Sequence, residues 1–237
     1  MRRATLTLAI LAALLVALAG PGTRLGLWSF GTGFDLLRWG AYLGLAAAAA
    51  ALVQVAVPRW RAPSPWPLVV ALGLGLLAAG VPWLWRQRAG DVPPIHDITT
   101  DTEHPPAFVA VLPLRADAPN PATYGGPETA AAQRQAYPDI RPHLLAGTAP
   151  GAAFARALVA ARAEGWAIVA ADSADGRIEA TATTGWFGFR DDVVVRVGPA
   201  DSGSVIDVRS VSRVGQSDVG ANAARIRAYL ARLNRTR

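Results

Sequence analysis

The chain has 237 residues, of which 52% are hydrophobic and only 17% are charged, and its mean hydropathy of +0.26 is too high for an ordinary soluble domain. Its pI near 10.8 comes from residues 1–90, where eight arginines flank apolar runs and face a single acid, so the charge does not indicate a nucleic-acid binder. Cysteine is absent, which excludes disulfides, thiol catalysis and thiolate metal sites.

Three apolar stretches in residues 1–90 are predicted to be helices that anchor the protein in a membrane. They cover about residues 5–20, 39–57 and 66–85. The last two reach the roughly 17–25 residues that a helix needs to cross a bilayer, and tryptophans such as Trp39 and Trp85 flank them. The first stretch also fits a cleavable signal peptide, since it follows Arg2 and Arg3 and ends in small residues.

Whether the first stretch is cleaved or retained, residues 91–237 are predicted to face away from the cytoplasm. Three crossings from a cytoplasmic N-terminus end outside, and two crossings after cleavage end there as well. Arg59 and Arg61, between the second and third stretches, favour this orientation, whereas the arginines flanking the other loops count against it. No stretch has an ionisable residue at its centre, which favours an anchor over a transporter.

Residues 91–125 are rich in Pro, Asp and Thr, and we expect them to form an extended leader with one possible short strand at Phe108–Leu112. Residues 126–237 are predicted to form an α+β domain. Its predicted helices are Glu128–Ala136, Ala152–Glu164 and Asp218 to about Leu233. Its predicted strands are Trp166–Ala171, Arg177–Thr183, Asp192–Val197 and Ser204–Val211.

The strands show the period of two that is typical of a sheet with one buried face. In the second strand, Ile178 and Ala180 alternate with Glu179 and Thr181. The connections between strands are too short for crossover helices, so the pairing should be antiparallel. We therefore expect a four-stranded antiparallel meander with two helices on one face.

The most distinctive segment is Val208–Arg227, with the sequence VRSVSRVGQSDVGANAARIR. Together with Asp191-Asp192-Val193 and the Pro94–Phe108 segment, it resembles the DUF1499 family of bacterial membrane-associated proteins. The matching features are Asp191-Asp192, Arg209-Ser210, Ser212-Arg213, Gly215, Ser217-Asp218, Gly220, Asn222 and Arg225-Ile226. The resemblance covers roughly residues 91–237. It implies a bacterial envelope protein and supplies no catalytic residues, because the family is named for lacking an assigned function.

The same segment contains the candidate ligand-binding residues Arg209, Arg213, Asp218, Asn222 and Arg225. The N–H groups at the start of the last helix would attract an anion, and two arginines would clamp a phosphate or carboxylate. The alternative interpretation is structural. Asp218 then caps the helix, while Arg209 and Arg213 pair with carboxylates across the sheet, namely Asp207, Glu179 or Asp192.

Other candidate sites fit less well. Possible metal ligands are His96, Asp97, Asp101 and His104, but their spacing matches no standard site, and we predict no metal. Asp191 and Asp192 should point to opposite faces of a strand, so they are poor partners for acid–base chemistry. The serines of the motif lack a nearby base. The aromatic loop at Trp186–Phe189 is predicted to be core, with exposure to lipid or to an apolar ligand as the alternative.

The sequence thus predicts a non-enzymatic protein of the bacterial inner membrane, with its C-terminal domain on the periplasmic or extracytoplasmic side. We expect the domain to bind an envelope protein or a small anionic ligand through the Arg209–Arg225 region, without a cofactor and without nucleic acid. One alternative is a hydrolase or other enzyme that uses the same surface. Another is a purely structural component of the membrane, with the lipid bilayer as its partner.

Overall fold

The computed structural model describes residues 1–57 and 64–235. Its contacts divide the chain into a helical unit, Met1–Gly90 with Gly185–Gly188, and a second unit, Asp91–Thr184 with Phe189–Arg237. Arg59 and Arg61, which are predicted to lie on the cytoplasmic side, are outside the described residues.

In residues 1–57 and 64–90, the first unit contains three helices: α1 (Arg2–Arg24), α2 (Phe30–Ala56) and α3 (Trp66–Gly90). They have 23, 27 and 25 residues, and all three are long and apolar enough to cross a membrane. Each predicted stretch is therefore confirmed as a helix, and each helix extends beyond the apolar run that predicted it. The added turns contain polar and aromatic residues, so the hydropathy pattern did not include them. The backbone hydrogen bonding of the helix nevertheless continues through them.

Small residues allow α2 and α3 to approach each other closely. A Cβ atom placed on Gly44 would lie 2.7 Å from the carbonyl oxygen of Gly75, so neither position has room for a side chain. Gln54, the one polar interruption of α2, is 4% exposed and donates to the Thr5 hydroxyl at 2.6 Å. Close glycine contacts and interhelical amide bonds are the usual means by which helices associate in lipid.

The tip of the aromatic loop, Gly185–Gly188, groups with this helical unit. Phe187 is 8% exposed, and its ring centroid lies 5.2 Å from that of Phe34 in α2. The prediction that the loop is packed rather than exposed is confirmed for Phe187. Phe34, one of its packing partners, belongs to the membrane-type helix α2.

The second unit is built on a six-stranded antiparallel sheet. The strands are β1 (Asp97–Thr99), β2 (His143–Ala146), β3 (Ala167–Asp172), β4 (Arg177–Thr183), β5 (Arg190–Ala200) and β6 (Gly203–Ser212). The order is β1-β6-β5-β4-β3, with β2 pairing along the same edge of β6 as β1. The predicted count of four strands was wrong, because β1 and β2 have three and four residues and are too short to show a period of two.

Three helices complete the domain: α4 (Gly126–Ala136), α5 (Pro150–Ala163) and α6 (Ala221–Arg235). The prediction of two helices on one sheet face is confirmed, since α5 packs against β5 and β6, α6 packs against β6, and the two helices share one apolar core. At its centre, the rings of Trp166 and Tyr229 stack with centroids 4.9 Å apart, and the Tyr229 hydroxyl donates to the carbonyl of Ala157.

The leader covers the opposite face of the sheet. Phe108 and Val111 pack there against Val194 and Val211, and all four are buried. The sheet is therefore buried on both faces, where a single buried face was expected. The predicted strand at Phe108–Leu112 is wrong as well: these residues form no ladder, and a 3-10 helix follows at Leu112–Arg115.

Candidate functional site

One polar cluster lies between the sheet and α6. Asp191, at the start of β5, pairs with Arg225 of α6, and their side chains are 3% and 11% exposed. Arg225 also donates to the hydroxyl of Ser210 and to the side-chain oxygen of Asn222. The Asn222 amide in turn donates to the Ser212 hydroxyl at 3.0 Å. The cluster thus satisfies its own buried polar groups, as a stable core requires.

On the leader side of the sheet, Arg209 forms a bidentate ion pair with Asp97. Its Nε and Nη2 atoms lie 2.9 and 2.7 Å from the carboxylate oxygens, and both side chains are almost fully buried. The guanidinium also lies over two aromatic rings, 5.0 Å from the centroid of Phe108 and 5.4 Å from that of Tyr124. Burial raises the pKa of the Tyr124 phenol to about 12, so the ring stays neutral beside the ion pair.

Asp192 points to this same side and binds two arginines. Arg213 donates from Nε and Nη2 at 2.9 and 2.8 Å, and Arg115 lies at 3.3 Å. The Asp192 side chain is 0% exposed and that of Arg115 is 3% exposed. Burial lowers the pKa of the Arg115 guanidinium, which the charge of Asp192 partly offsets. The side chains of Asp191 and Asp192 therefore lie on opposite faces of the sheet, as the strand period predicts.

Glu179 of β4 holds the leader against the sheet. Its two carboxylate oxygens accept four hydrogen bonds, all at 3.0 Å, from the backbone N–H groups of Val109, Ala110 and Val111. Arg177 lies 3.2 Å from the same carboxylate. These N–H groups would otherwise be free to join a strand ladder, so Glu179 explains why the expected strand does not form.

A fourth carboxylate on the leader side ties the first turn of the leader to the sheet. Asp207 of β6 accepts from Arg196 at 2.7 Å and from the Thr100 hydroxyl at 3.2 Å. Arg196 also reaches Asp101 at 2.9 Å. Burial alone would raise the pKa of Asp101, but N–H bonds from the following residues and the Arg196 charge outweigh it, so this pKa lies below its ordinary value.

The turn before α6 has an unusual backbone. Val219 has φ +54°, a left-handed conformation that is rare for a β-branched residue, and Gly220 follows with φ +79°. Asp218 stabilises the turn, because its carboxylate accepts from the N–H groups of Gly220 and Asn222 at 2.8 and 2.7 Å. Burial raises the pKa of Asp218 despite these bonds. The predicted helix start at Asp218 therefore shifts to Ala221, with Asp218 as the capping residue.

The five predicted ligand-binding residues all have partners inside the domain. Arg213 pairs with Asp192 across the sheet and Asp218 caps α6, as the structural alternative predicts. Arg209 pairs with Asp97, which sequence analysis had treated as a possible metal ligand. The five do not line one open pocket, since they divide between the two faces of the sheet. Ligand binding by these residues stays a prediction, and the geometry assigns them a role in holding leader, sheet and α6 together.

Sequence reasoning missed two buried residues of the leader side. Arg115 looked like an ordinary charge in a polar segment, and Gln133 like one of several polar residues in α4. Gln133 is 1% exposed and brackets Thr99, accepting from its N–H at 2.9 Å and donating to its carbonyl at 2.6 Å. Within residues 1–57 and 64–235, no group of three metal-ligating side chains is close enough to hold an ion.

A cleft opens on the domain between α4 and the loop that follows β1. Its volume is about 380 Å³. The lining residues are Thr100, Asp101, Thr102, Glu103, Arg134, Tyr137, Pro138, Ile140, Arg141 and Pro142. We call it the α4 cleft. Arg134 donates to the Thr102 hydroxyl at 3.0 Å, and Arg141 donates from Nε to the Pro138 carbonyl at 2.7 Å. Sequence analysis did not single out either arginine.

Comparison with known proteins gives one match. A family model described as "Protein of unknown function (DUF1499)" matches residues 97–233, which is more than half of the chain. No curated protein matches the chain. No solved structure matches it either. The matched range begins at β1 and ends within α6, so it coincides with the domain that contains the ion pairs and the α4 cleft.

Proposed function

Because the chain belongs to the DUF1499 family, whose description assigns no activity, we propose from the geometry that the protein is a membrane-anchored binding module. In this proposal, α1–α3 hold the protein in the bacterial inner membrane, and the domain binds a small anionic ligand in the α4 cleft without transforming it. The observation that carries the proposal is a pair of arginines, Arg134 and Arg141, that line a concave surface and form no ion pair with a carboxylate of residues 1–57 or 64–235.

The pairing of the other arginines supports this choice of site. In the domain, ion pairs to internal carboxylates occupy Arg115, Arg177, Arg196, Arg209, Arg213, Arg225, Arg227 and Arg232. Within the described part of the chain, Arg134 and Arg141 bond only to a hydroxyl and a carbonyl. Both side chains are exposed, so their remaining N–H groups face water and are available to a phosphate or carboxylate.

The rest of the cleft supports a ligand with an apolar part. Pro138, Ile140 and Pro142 contribute an apolar lining beside the two cations. A volume of about 380 Å³ lies at the lower end of the roughly 300–1,000 Å³ that is typical of small-molecule sites. Glu103 is the one exposed acid of the lining, and it would disfavour a second negative charge on the ligand. A monoanion with a small hydrocarbon group fits these features best.

The binding proposal can be tested on the full-length protein in detergent by calorimetric titration with benzoate, a monoanion, and with phenyl phosphate, which carries mostly two negative charges at neutral pH and should bind more weakly. We expect binding by the native protein and about a tenfold or greater loss in the Arg134→Ala/Arg141→Ala double variant, since two charge-assisted bonds are removed. The matched control is Arg162→Ala, which removes an exposed arginine of α5 far from the cleft in sequence. Equal affinity of the double variant and the control would reject the cleft as the site.

The orientation of the domain is part of the proposal. Three spanning helices that begin in the cytoplasm would place residue 91 on the extracytoplasmic side. An alkaline phosphatase fusion after residue 90 should then be active, because this enzyme folds only outside the cytoplasm. A matched fusion after Val57, before the third helix, should be inactive. The reverse pattern would place the domain in the cytoplasm.

A further inference from the structure

The domain exposes an unusual concentration of large apolar side chains in one turn. Val109, Leu112 and Leu114 are 51%, 43% and 55% exposed. In the described part of the domain, the other exposed large hydrophobic residues, Leu144 and Val159, stand singly in β2 and α5. Single exposed apolar residues are ordinary, but three in one six-residue segment form a patch of the kind that contacts lipid or a partner. We call residues 109–114 the apolar turn.

The apolar turn is held rigidly, so its side chains have no route into the core. Glu179 binds the backbone N–H groups of residues 109–111, and Arg213 donates from Nη1 to the Leu114 carbonyl at 2.6 Å. Val111 fills the inward position and is 0% exposed. The exposure of Leu112 and Leu114 therefore results from a backbone fixed by buried charges, and not from a flexible loop.

The position of the turn within the domain indicates what it contacts. Arg213, which binds Leu114, follows directly on the end of β6. The chain comes into the domain at this same end, where Asp97 of β1 pairs with Val211. Arg190 lies there too, since its carbonyl accepts from the N–H of Arg213, and its side chain is exposed. Two exposed leucines and a cation thus share the end of the sheet to which the membrane helices are joined.

The connection to α3 is short. Only residues 91–96 separate the end of α3 from β1, and a segment of that length spans at most about 20 Å. The end of the sheet near Asp97 must therefore stay within that distance of the end of the third membrane helix. An apolar patch with a neighbouring arginine, kept this close to a bilayer, has the chemistry of an interfacial contact: leucines in the acyl boundary and a guanidinium at the lipid phosphates.

We propose that the apolar turn is a second membrane contact, in which Leu112 and Leu114 enter the headgroup–acyl boundary of the bilayer that holds α1–α3. This inference rests on the membrane anchor of the proposed function and is independent of the α4 cleft. Its consequence is that the domain does not rotate freely on its linker.

The absence of cysteine from the chain makes the test direct, because a single introduced cysteine is labelled uniquely. The full-length variants Leu114→Cys and Leu112→Cys are labelled with the polarity-sensitive fluorophore NBD and reconstituted in vesicles of phosphatidylcholine and phosphatidylglycerol. The matched controls are Val159→Cys and Leu144→Cys, which replace residues of similar exposure elsewhere in the domain. We expect blue-shifted emission and quenching by doxyl-labelled lipid at 112 and 114, and aqueous emission without quenching at 144 and 159.

Aqueous emission at both turn positions, equal to that of the controls, would overturn the inference while leaving the anchor intact. A blue shift at 114 that appears only when native membrane proteins are added would also overturn it, because the occupant would then be a protein. If the unlabelled chain fails to float with the vesicles, the anchor itself fails and the inference fails with it. Since all four positions are at the surface, cysteine should not disturb folding at any of them.

Discussion

Arg213 and Asp192 form a bidentate ion pair that joins the end of β6 to β5, with Nε–Oδ2 and Nη2–Oδ1 distances of 2.9 and 2.8 Å. The Asp192 side chain is completely buried and that of Arg213 is 11% exposed. The third N–H direction of the guanidinium is used as well, since Nη1 donates to the Leu114 carbonyl. One arginine therefore neutralises a buried carboxylate and fixes the leader at the same time.

Removal of this arginine should be strongly destabilising. We expect Arg213→Ala to lower the free energy of unfolding by about 3–5 kcal/mol, because it leaves the buried charge of Asp192 with Arg115 as its remaining cation. Hydrogen exchange of the β5 and β6 amides in the detergent-solubilised full-length protein measures this loss. The Arg213→Ala/Asp192→Asn double variant should recover part of it. Equal losses in the single and double variants would show that the charge of Asp192 is not the cause.

Glu179→Gln should release the leader from the sheet. The glutamine side chain has one acceptor oxygen and turns an NH₂ group towards N–H donors, so the N–H of either Ala110 or Val111 loses its acceptor, whereas Val109, which bonds both oxygens of Glu179, keeps one. Each unsatisfied group costs about 1–3 kcal/mol. We expect a selective loss of hydrogen-exchange protection in residues 109–111. Glu128→Gln, an exposed change in the first turn of α4, should alter stability by less than about 0.5 kcal/mol.

Asp218 should contribute a distinctive pH dependence. Burial raises its pKa in the folded protein above the ordinary 3.8, so the stability it contributes is fully present below that value and is lost as the pH rises through the raised pKa. Asp218→Asn removes the titration. The difference in unfolding free energy, variant minus native, should therefore become more positive as the pH rises from about 4 through the raised pKa of Asp218. A pH-independent difference, measured by chemical denaturation at several pH values, would contradict the raised pKa.

Val219→Gly should be neutral or stabilising, by up to about 2 kcal/mol, which is unusual for the loss of an isopropyl group. The native φ of +54° costs a β-branched residue roughly 1–3 kcal/mol, whereas glycine adopts it freely and loses some of this gain through chain entropy. The contrasting control is Val208→Gly in β6, at a fully buried position, where we expect a loss of several kcal/mol. Thermal unfolding of both variants separates backbone strain from side-chain packing.

The elements that were predicted well have strong local signals. β4 occupies Arg177–Thr183, the range that the alternation predicts, and α5 ends beside Gly165, whose φ of +76° suits glycine at a helix end. The elements that were missed lack such signals. β1 and β2 form because the edge of β6 provides backbone hydrogen-bond partners for them. Their own three or four residues contain no pattern that predicts this pairing.

The predicted candidate site shows the same division. The motif residues were recognised correctly as a group, because their order along the chain is distinctive. Their contacts were not predictable, because the partners are far apart in sequence: Arg209 binds Asp97 across 112 positions, and Glu179 binds Val109 across 70. The α4 cleft was missed for this reason too, since the loop after β1 and the end of α4 meet only in the folded domain.

By itself, the sequence determined that this protein has three membrane-type helices, an antiparallel α+β domain from about residue 91, and membership of its family. Hydropathy, the period of two and motif order are local properties that no packing arrangement can change. Only the tertiary structure decided that both faces of the sheet are covered and that the motif arginines neutralise buried carboxylates. It also decided that no carboxylate in the described part of the chain pairs with Arg134 or Arg141. These outcomes depend on contacts between side chains that are far apart in the sequence. A charged group that is buried on folding needs a partner of opposite charge, and the fold determines which partner lies near it.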